Sequence, residues 1–176
     1  MEPGGLVQLA KNAGAKMIAI SRRPSALALA KALGADEGLP MEDHRQLIEQ
    51  VKDLTQGQYC ERVIEATGKQ WPLDLAGELT AEREKLMVAG FHQNGLRQVN
   101  MQPWNWRGIE DVINAHKRAP EIYIEGIRRM VNAVVQGEMN PFPLFTHFFS
   151  KEQIQEAFQT HQQKPEGFIK ALITFA

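Results

Sequence analysis

Hydrophobic positions along the chain repeat first with the period of a helix and then in short β-branched runs. Leu6, Leu9, Ala10 and Ala13 share one helical face, and Gly14 follows as a stop. Residues 16–20 read as a short buried strand. Pro24 stands where it can open a helix, Ala26, Leu29, Ala30 and Leu33 repeat the stripe, and Gly34 ends it. Leu47, Val51 and Leu54 mark a third helix closed by Gly57, after which residues 62–66 read as a strand running into Thr67-Gly68.

The alternation continues with a helix over 72–80 and the clearest strand of the chain at 85–91. Two weaker extended segments, 98–101 and 111–115, are expected on either side of a turn at Trp104-Asn105-Trp106. A long helix carries Tyr123, Ile127, Met130, Val131 and Val134, with Gly137 past its end. Residues 144–149 read as extended, Ser150-x-x-Gln153 is a capping box opening a helix through Ile154, Ala157, Phe158 and His161, and 168–175 makes a final strand. Strands alternating with helices of about three turns predict an α/β, doubly wound, mostly parallel sheet. Ligands of such sheets bind off the carboxyl ends of the strands, which directs attention to Ser21-Arg22-Arg23, Ala66-Thr67-Gly68, Phe91-His92-Gln93 and Ala115-His116.

Composition narrows the function classes. The 176 residues suit one domain, and 43% hydrophobic with 23% charged residues suits a globular fold rather than disorder. With 20 Lys+Arg against 21 Asp+Glu there is no general basic field for a nucleic acid or an anionic membrane. No apolar run reaches the roughly 18 residues of a membrane span, and Met1-Glu2-Pro3-Gly4-Gly5 is unlike a secretory signal. A cytoplasmic location is expected. Cys60 is the single cysteine, and the five histidines never fall at i,i+4 around a Glu, so no common zinc spacing is present. Nor is there a Gly-x-Ser-x-Gly elbow or a Walker phosphate loop. The expectation is therefore no metal site and no local catalytic motif in the chain.

The strand-end loops lie within runs that resemble the cofactor domain of the medium-chain, zinc-type alcohol dehydrogenases. These runs are residues 5–15, 17–22, 30–36, Val63-Ile-Glu-Ala-Thr-Gly68, Val88-Ala-Gly-Phe91, Thr146-His147 and 167–175, all in the family's order. Members of that family begin with a separate barrel-like domain that holds a catalytic zinc through Cys, His and an acidic or second Cys ligand. Nothing in this sequence corresponds to that domain, to the first strand of the dinucleotide fold or to most of its Gly-x-Gly-x-x-Gly turn. The resemblance implies that residues 1–176 are an incomplete dinucleotide-binding domain, a Rossmann-like sheet lacking its first strand. Residues 167–176 resemble the strand that returns to the catalytic domain. Without the first strand, 16–20 and 62–66 are expected either to leave a gap or to pair directly.

The resemblance also supplies candidate residues. Gly4 and Gly5 before a helix are the candidates to bring N–H groups to a pyrophosphate, against the alternative of a flexible tail. Ser21 stands where an acidic residue usually binds the ribose 2′-hydroxyl, and Arg22 and Arg23 suit a 2′-phosphate instead. Ala66, Thr67 and Gly68 match the adenosine side, and Gly90, Phe91 and His92 match the strand end near the nicotinamide. Lys170 matches a basic position near the pyrophosphate. The implied cofactor is NADP, with NAD as the alternative, and zinc belongs only to the full-length family. The implied function is the cofactor-binding part of an NAD(P)-dependent, zinc-type alcohol or polyol dehydrogenase, inactive as an isolated chain; the alternative is a non-catalytic dinucleotide-binding or dimerisation module. A homodimer through the edge segments 98–101 and 111–115 is expected. Glu65, an acid inside a strand, has no role in any of these readings.

Overall fold

The computed structural model describes residues 3–93, 95–116 and 119–175. In chain order the elements are α1 (Pro3–Asn12), β1 (Ile18–Ser21), α2 (Pro24–Ala32), β2 (Glu37–Pro40), α3 (His44–Leu54), β3 (Cys60–Glu65) and α4 (Gln70–Leu79). They continue with β4 (Thr80–Val88), α5 (Met101–Arg107), β5 (Asp111–Asn114), α6 (Pro120–Val135), β6 (Phe145–Ser150), α7 (Ile154–Gln163) and β7 (Lys170–Thr174). Every ladder among them is parallel: β1 with β2, β4 between β3 and β5, and β6 with β7. Parallel pairing needs a crossover between partners, and the intervening helices provide it. The α/β expectation holds, with the pairing divided among three ladders.

The chain forms two compact units, one spanning Glu42–Tyr123 and the other made of the segments up to Met41 and from Ile124 onward. In the first, α4 packs on β3 and β4 and meets α3. Leu47 and Val51 of α3, Leu73, Leu75, Ala76 and Leu79 of α4, and Leu86 of β4 are all buried. Asp43 caps α3 by accepting from the Gln46 N–H. In the second unit, Val7, Ala30 and Ala35 form one cluster with Met17, Ala19 and Leu33 around it, and Ala26, Leu144 and Ile169 form another. Gln8 is buried in α1 because its amide exchanges both hydrogen bonds with the Asn140 backbone, at 2.8 and 2.7 Å.

Two expectations are corrected. Residues 98–101 are not an edge strand: Gln98 gives its N–H and its carbonyl to the Gln70 side-chain amide instead of to a ladder. Met101 already begins α5, capped by Asn100, whose side chain accepts from the Gln102 N–H. The expected turn at Trp104–Trp106 is therefore helical, and Gly108 in the left-handed conformation ends it. Residues 111–114 do form a strand, last in its ladder. Strand β2, which carries only one large apolar side chain, Leu39, escaped the pattern. Of the two strands expected to lose a shared partner, β1 pairs with β2 and β3 with β4.

Large aromatic and methionine side chains divide between core and surface. Phe149 is buried, and Trp104 lies so close to Gly77 that a Cβ there would sit 1.9 Å from its indole nitrogen. Trp106, Phe148 and Met130 are exposed. Cys60 is half-buried and free, and burial pushes its thiol pKa up, as befits an inert structural thiol.

Leu86, 0% exposed at the centre of the β3–β4–β5 ladder, gives a direct test of this core. Leu86→Ala should lower stability by about 2–5 kcal/mol, the usual loss for a cavity left by a buried leucine. Urea unfolding measures it, and a loss below about 1 kcal/mol would contradict the burial assigned here.

Candidate cofactor site

Each candidate loop follows the carboxyl end of a parallel strand, the position where doubly wound sheets bind ligands. The candidates divide between the two units. Ala66–Gly68 and Gly90–His92 belong to one, and Gly4, Gly5, Ser21–Arg23 and Lys170 to the other.

In the first unit the strand ends are organised by Glu65. Its side chain is fully buried at the last position of β3. One carboxylate oxygen accepts from the Thr67 N–H at 2.7 Å, the Thr67 hydroxyl at 2.6 Å and the Gly68 N–H at 2.9 Å. The other lies 3.0 Å from His92 Nε2. On the far side of the ring, Arg97 Nε donates to His92 Nδ1 at 3.0 Å, while Arg97 Nη2 donates to the Gly68 carbonyl at 3.2 Å. A guanidinium can only donate. His92 Nδ1 is therefore the acceptor, the ring proton sits on Nε2, and it points to Glu65. Three groups form a chain with one direction: Arg97 to His92 to Glu65.

That chain closes the β3 and β4 ends on each other. The Glu65 carbonyl accepts from both Ala89 and Gly90 N–H groups at 2.8 Å. A Cβ on Gly90 would lie 2.1 Å from the Gly68 nitrogen, and one on Gly68 would lie 2.4 Å from the Phe91 carbonyl. Gly68 also has a φ of 72°, a left-handed conformation that side chains resist. Phe91 is 65% exposed beside these glycines, and His116 meets its ring edge-on at 5.4 Å. His92 is thus an internal strut, which sequence reading missed, as it missed the role of Glu65 and the part of Arg97.

Burial is the largest single influence on Glu65 and pushes its pKa up. The hydrogen bonds from the Thr67 side chain and backbone, the Gly68 N–H and His92 outweigh it, so the carboxyl lies below the ordinary glutamate value.

In the second unit, Ser21 ends β1 with no carboxylate, and its hydroxyl accepts from the Arg23 N–H at 3.2 Å. Arg22 is exposed; Arg23 is half-buried and donates through Nη1 to the Phe168 carbonyl at 2.5 Å. In the first turn of α2, the Ser25 N–H donates to the Glu166 carboxylate at 3.0 Å, and the Ser25 hydroxyl is buried without a partner. Gly4 and Gly5 lie inside the first turn of α1. A Cβ on Gly4 would meet Leu144 at 2.4 Å, so packing accounts for that glycine, whereas one on Gly5 would meet only the Met139 methyl at an ordinary 3.4 Å. Lys170 opens β7 and is half-buried. Among the described residues no three His, Cys, Asp or Glu side chains converge as a metal ion needs.

Residues 4–110 match the family model described as zinc-binding dehydrogenase. The chain belongs to this family. No curated protein sequence matches it. Among solved structures it is similar to an NAD-dependent alcohol dehydrogenase, at 20% identity and a TM-score of 0.81 over 98% of this chain and 48% of that one. It is also similar to an alcohol dehydrogenase from Escherichia coli CFT073 solved with NADH, at 21% identity and a TM-score of 0.80 over 97% and 48% of the two chains. A mycobacterial protein solved with NADPH matches at 19% identity and a TM-score of 0.76 over 97% and 52%. The chain spans about half the length of these structures, and at such identities they show the fold. No helix among the described residues is long and apolar enough to cross a membrane.

The buried Glu65 carboxyl makes stability depend on pH. Because its pKa is lower folded than unfolded, the folded state binds fewer protons in mild acid, and acid favours unfolding. Its contribution is complete above the unfolded value of about 4.3 and is lost as pH falls through the folded value. Glu65→Gln should therefore melt well below the wild-type chain at neutral pH, with the gap narrowing as the pH drops below about 4.3. Thermal melts across that range decide it, and a gap independent of pH would remove the carboxylate from this role.

Proposed function

We propose that this chain is the cofactor-binding part of an NAD(P)-dependent, zinc-type alcohol or polyol dehydrogenase, and that it prefers NADP(H). The observation that carries the reading is the end of β1, where Ser21 replaces the usual acid and two arginines follow. A carboxylate there would accept from the ribose hydroxyls and repel a 2′-phosphate, whereas a guanidinium gives a phosphate two parallel charge-assisted bonds. Two further features fit a phosphorylated ligand: the orphaned Ser25 hydroxyl, and the Glu166 carboxylate that stands at the first turn of α2 as an anion would. When bound, the nicotinamide supplies the hydride acceptor or donor. The residues of this chain hold and orient the dinucleotide. Ser21, Arg22 and Arg23 address the adenosine ribose, Ala66–Gly68 the rest of the adenosine, Gly90–His92 the nicotinamide side mainly through backbone, and Lys170 and the first turn of α1 the pyrophosphate.

Among the described residues no three His, Cys, Asp or Glu side chains converge as the family's zinc would need, and the isolated chain is proposed to be inactive. We place the protein in the cytoplasm as a homodimer. β5, paired only to β4 in its ladder and carrying the 48% exposed Val112, offers the edge for that contact.

Fluorescence titration with NADPH and NADH tests the cofactor reading. The wild-type chain should bind NADPH up to roughly tenfold more tightly, the worth of one good phosphate contact. The Arg22→Ala, Arg23→Ala double variant should lose that preference while its NADH affinity stays within about twofold. Equal affinities in the wild-type chain, or NADPH affinity untouched by the double change, would show the arginines to be ordinary surface.

A further inference from the structure

The segment that precedes β7 reaches back to the end of β1. Glu166 accepts from the Ser25 N–H at 3.0 Å, and the Phe168 carbonyl accepts from Arg23 Nη1 at 2.5 Å. Both contacts join residues that are more than 140 positions apart and fall on the short stretch the cofactor reading assigns to the ribose. The Ser25 N–H is a first-turn amide of a nine-residue helix with no side-chain cap on its N-cap residue, Arg23. Such an amide takes a carboxylate or a phosphate oxygen equally well. Beside it the Ser25 hydroxyl is buried and has no partner, so the helix start has one more donor than Glu166 uses. Glu166 itself is exposed and makes this one bond to the helix, which leaves it free to exchange with another anion.

Resting on the cofactor reading above, we propose that Glu166 is the residue that sets the choice between NADP(H) and NAD(H). It supplies, from the far end of the chain, the carboxylate that Ser21 does not. With Glu166 seated at Ser25, an unphosphorylated ribose finds an acceptor for its hydroxyls. A 2′-phosphate competes with Glu166 for the Ser25 amide and is repelled by its charge. The phosphate must displace the carboxylate, after which Arg22, Arg23, the Ser25 N–H and the Ser25 hydroxyl are its donors. Glu166 thus tempers the preference that the two arginines create.

Glu166→Gln keeps an oxygen for the Ser25 amide and removes only the charge, and Glu166→Ala removes both. NADPH and NADH are titrated against each variant and the wild-type chain, with thermal melts confirming that all three fold. The ratio of NADPH to NADH affinity should rise about tenfold in Glu166→Gln, the scale of removing one charge about 4 Å from a phosphate dianion in a wet site. It should rise further in Glu166→Ala, where NADH also binds more weakly. The Ser25 amide resonance of the wild-type chain should shift on NADPH addition and far less on NADH addition. A ratio unchanged in both variants, or affinities for the two cofactors that move together, overturns the role of Glu166 and leaves the cofactor reading standing. Binding of neither cofactor to any of the three proteins overturns both.

Discussion

A single buried carboxylate sets the geometry of the β3–β4 end. Glu65 is fully enclosed, and four donors converge on its two oxygens. These donors outweigh the burial of the charge, and the carboxyl therefore stays below the ordinary glutamate pKa. Their directions matter as much as their sum. Two come from consecutive backbone amides, which fixes the turn at Thr67 and Gly68. A third comes from the His92 ring, which fixes the loop after β4. The glycines then follow as necessities: with the turn pulled down onto β4, any Cβ at 68 or 90 would collide with backbone.

The parts of the fold governed by local periodicity were legible from the sequence. The helical stripes ending at Gly14, Gly34 and Gly137 form α1, α2 and α6, and β3 falls on its expected run, because such spacing is set by the local sequence; β4 covers the expected strand only in part, starting at Thr80 and ending at Val88. The failures are non-local. β2 has little apolar signal and exists because β1 offers it a ladder. Residues 98–101 have the extended composition of a strand, yet the Gln70 amide, 28 positions earlier, takes the Gln98 backbone groups that pairing would need. Glu65 was conspicuous in the sequence but uninterpretable, since its partner His92 stands 27 residues away and Arg97 acts only through that ring.

α6 shows the converse. Its apolar stripe predicts a helix correctly, and a helix forms over Pro120–Val135, yet none of its residues is buried. Ile127, Val131 and Val135 are 63%, 55% and 80% exposed. Periodicity reports that one face of a helix is apolar; it does not report what covers that face. The same distinction applies to Trp106 and Phe148, whose size suggested burial that this chain does not provide.

Carboxylates meet amides at the carboxyl ends of β3 and β1 alike, and the contrast between them separates a fixture from a switch. Glu65 is fully buried and has four donors, three from residues two and three positions away and one from His92. Nothing that arrives from solvent can match that set, so the turn it holds is permanent. Glu166 acts across 141 residues, is exposed and takes one helix amide. A carboxylate at an exposed helix start contributes only about 0.3–1 kcal/mol, less than a phosphate gains from a guanidinium and that same amide together. One chain therefore uses one kind of contact in two ways, and burial with donor count decides which.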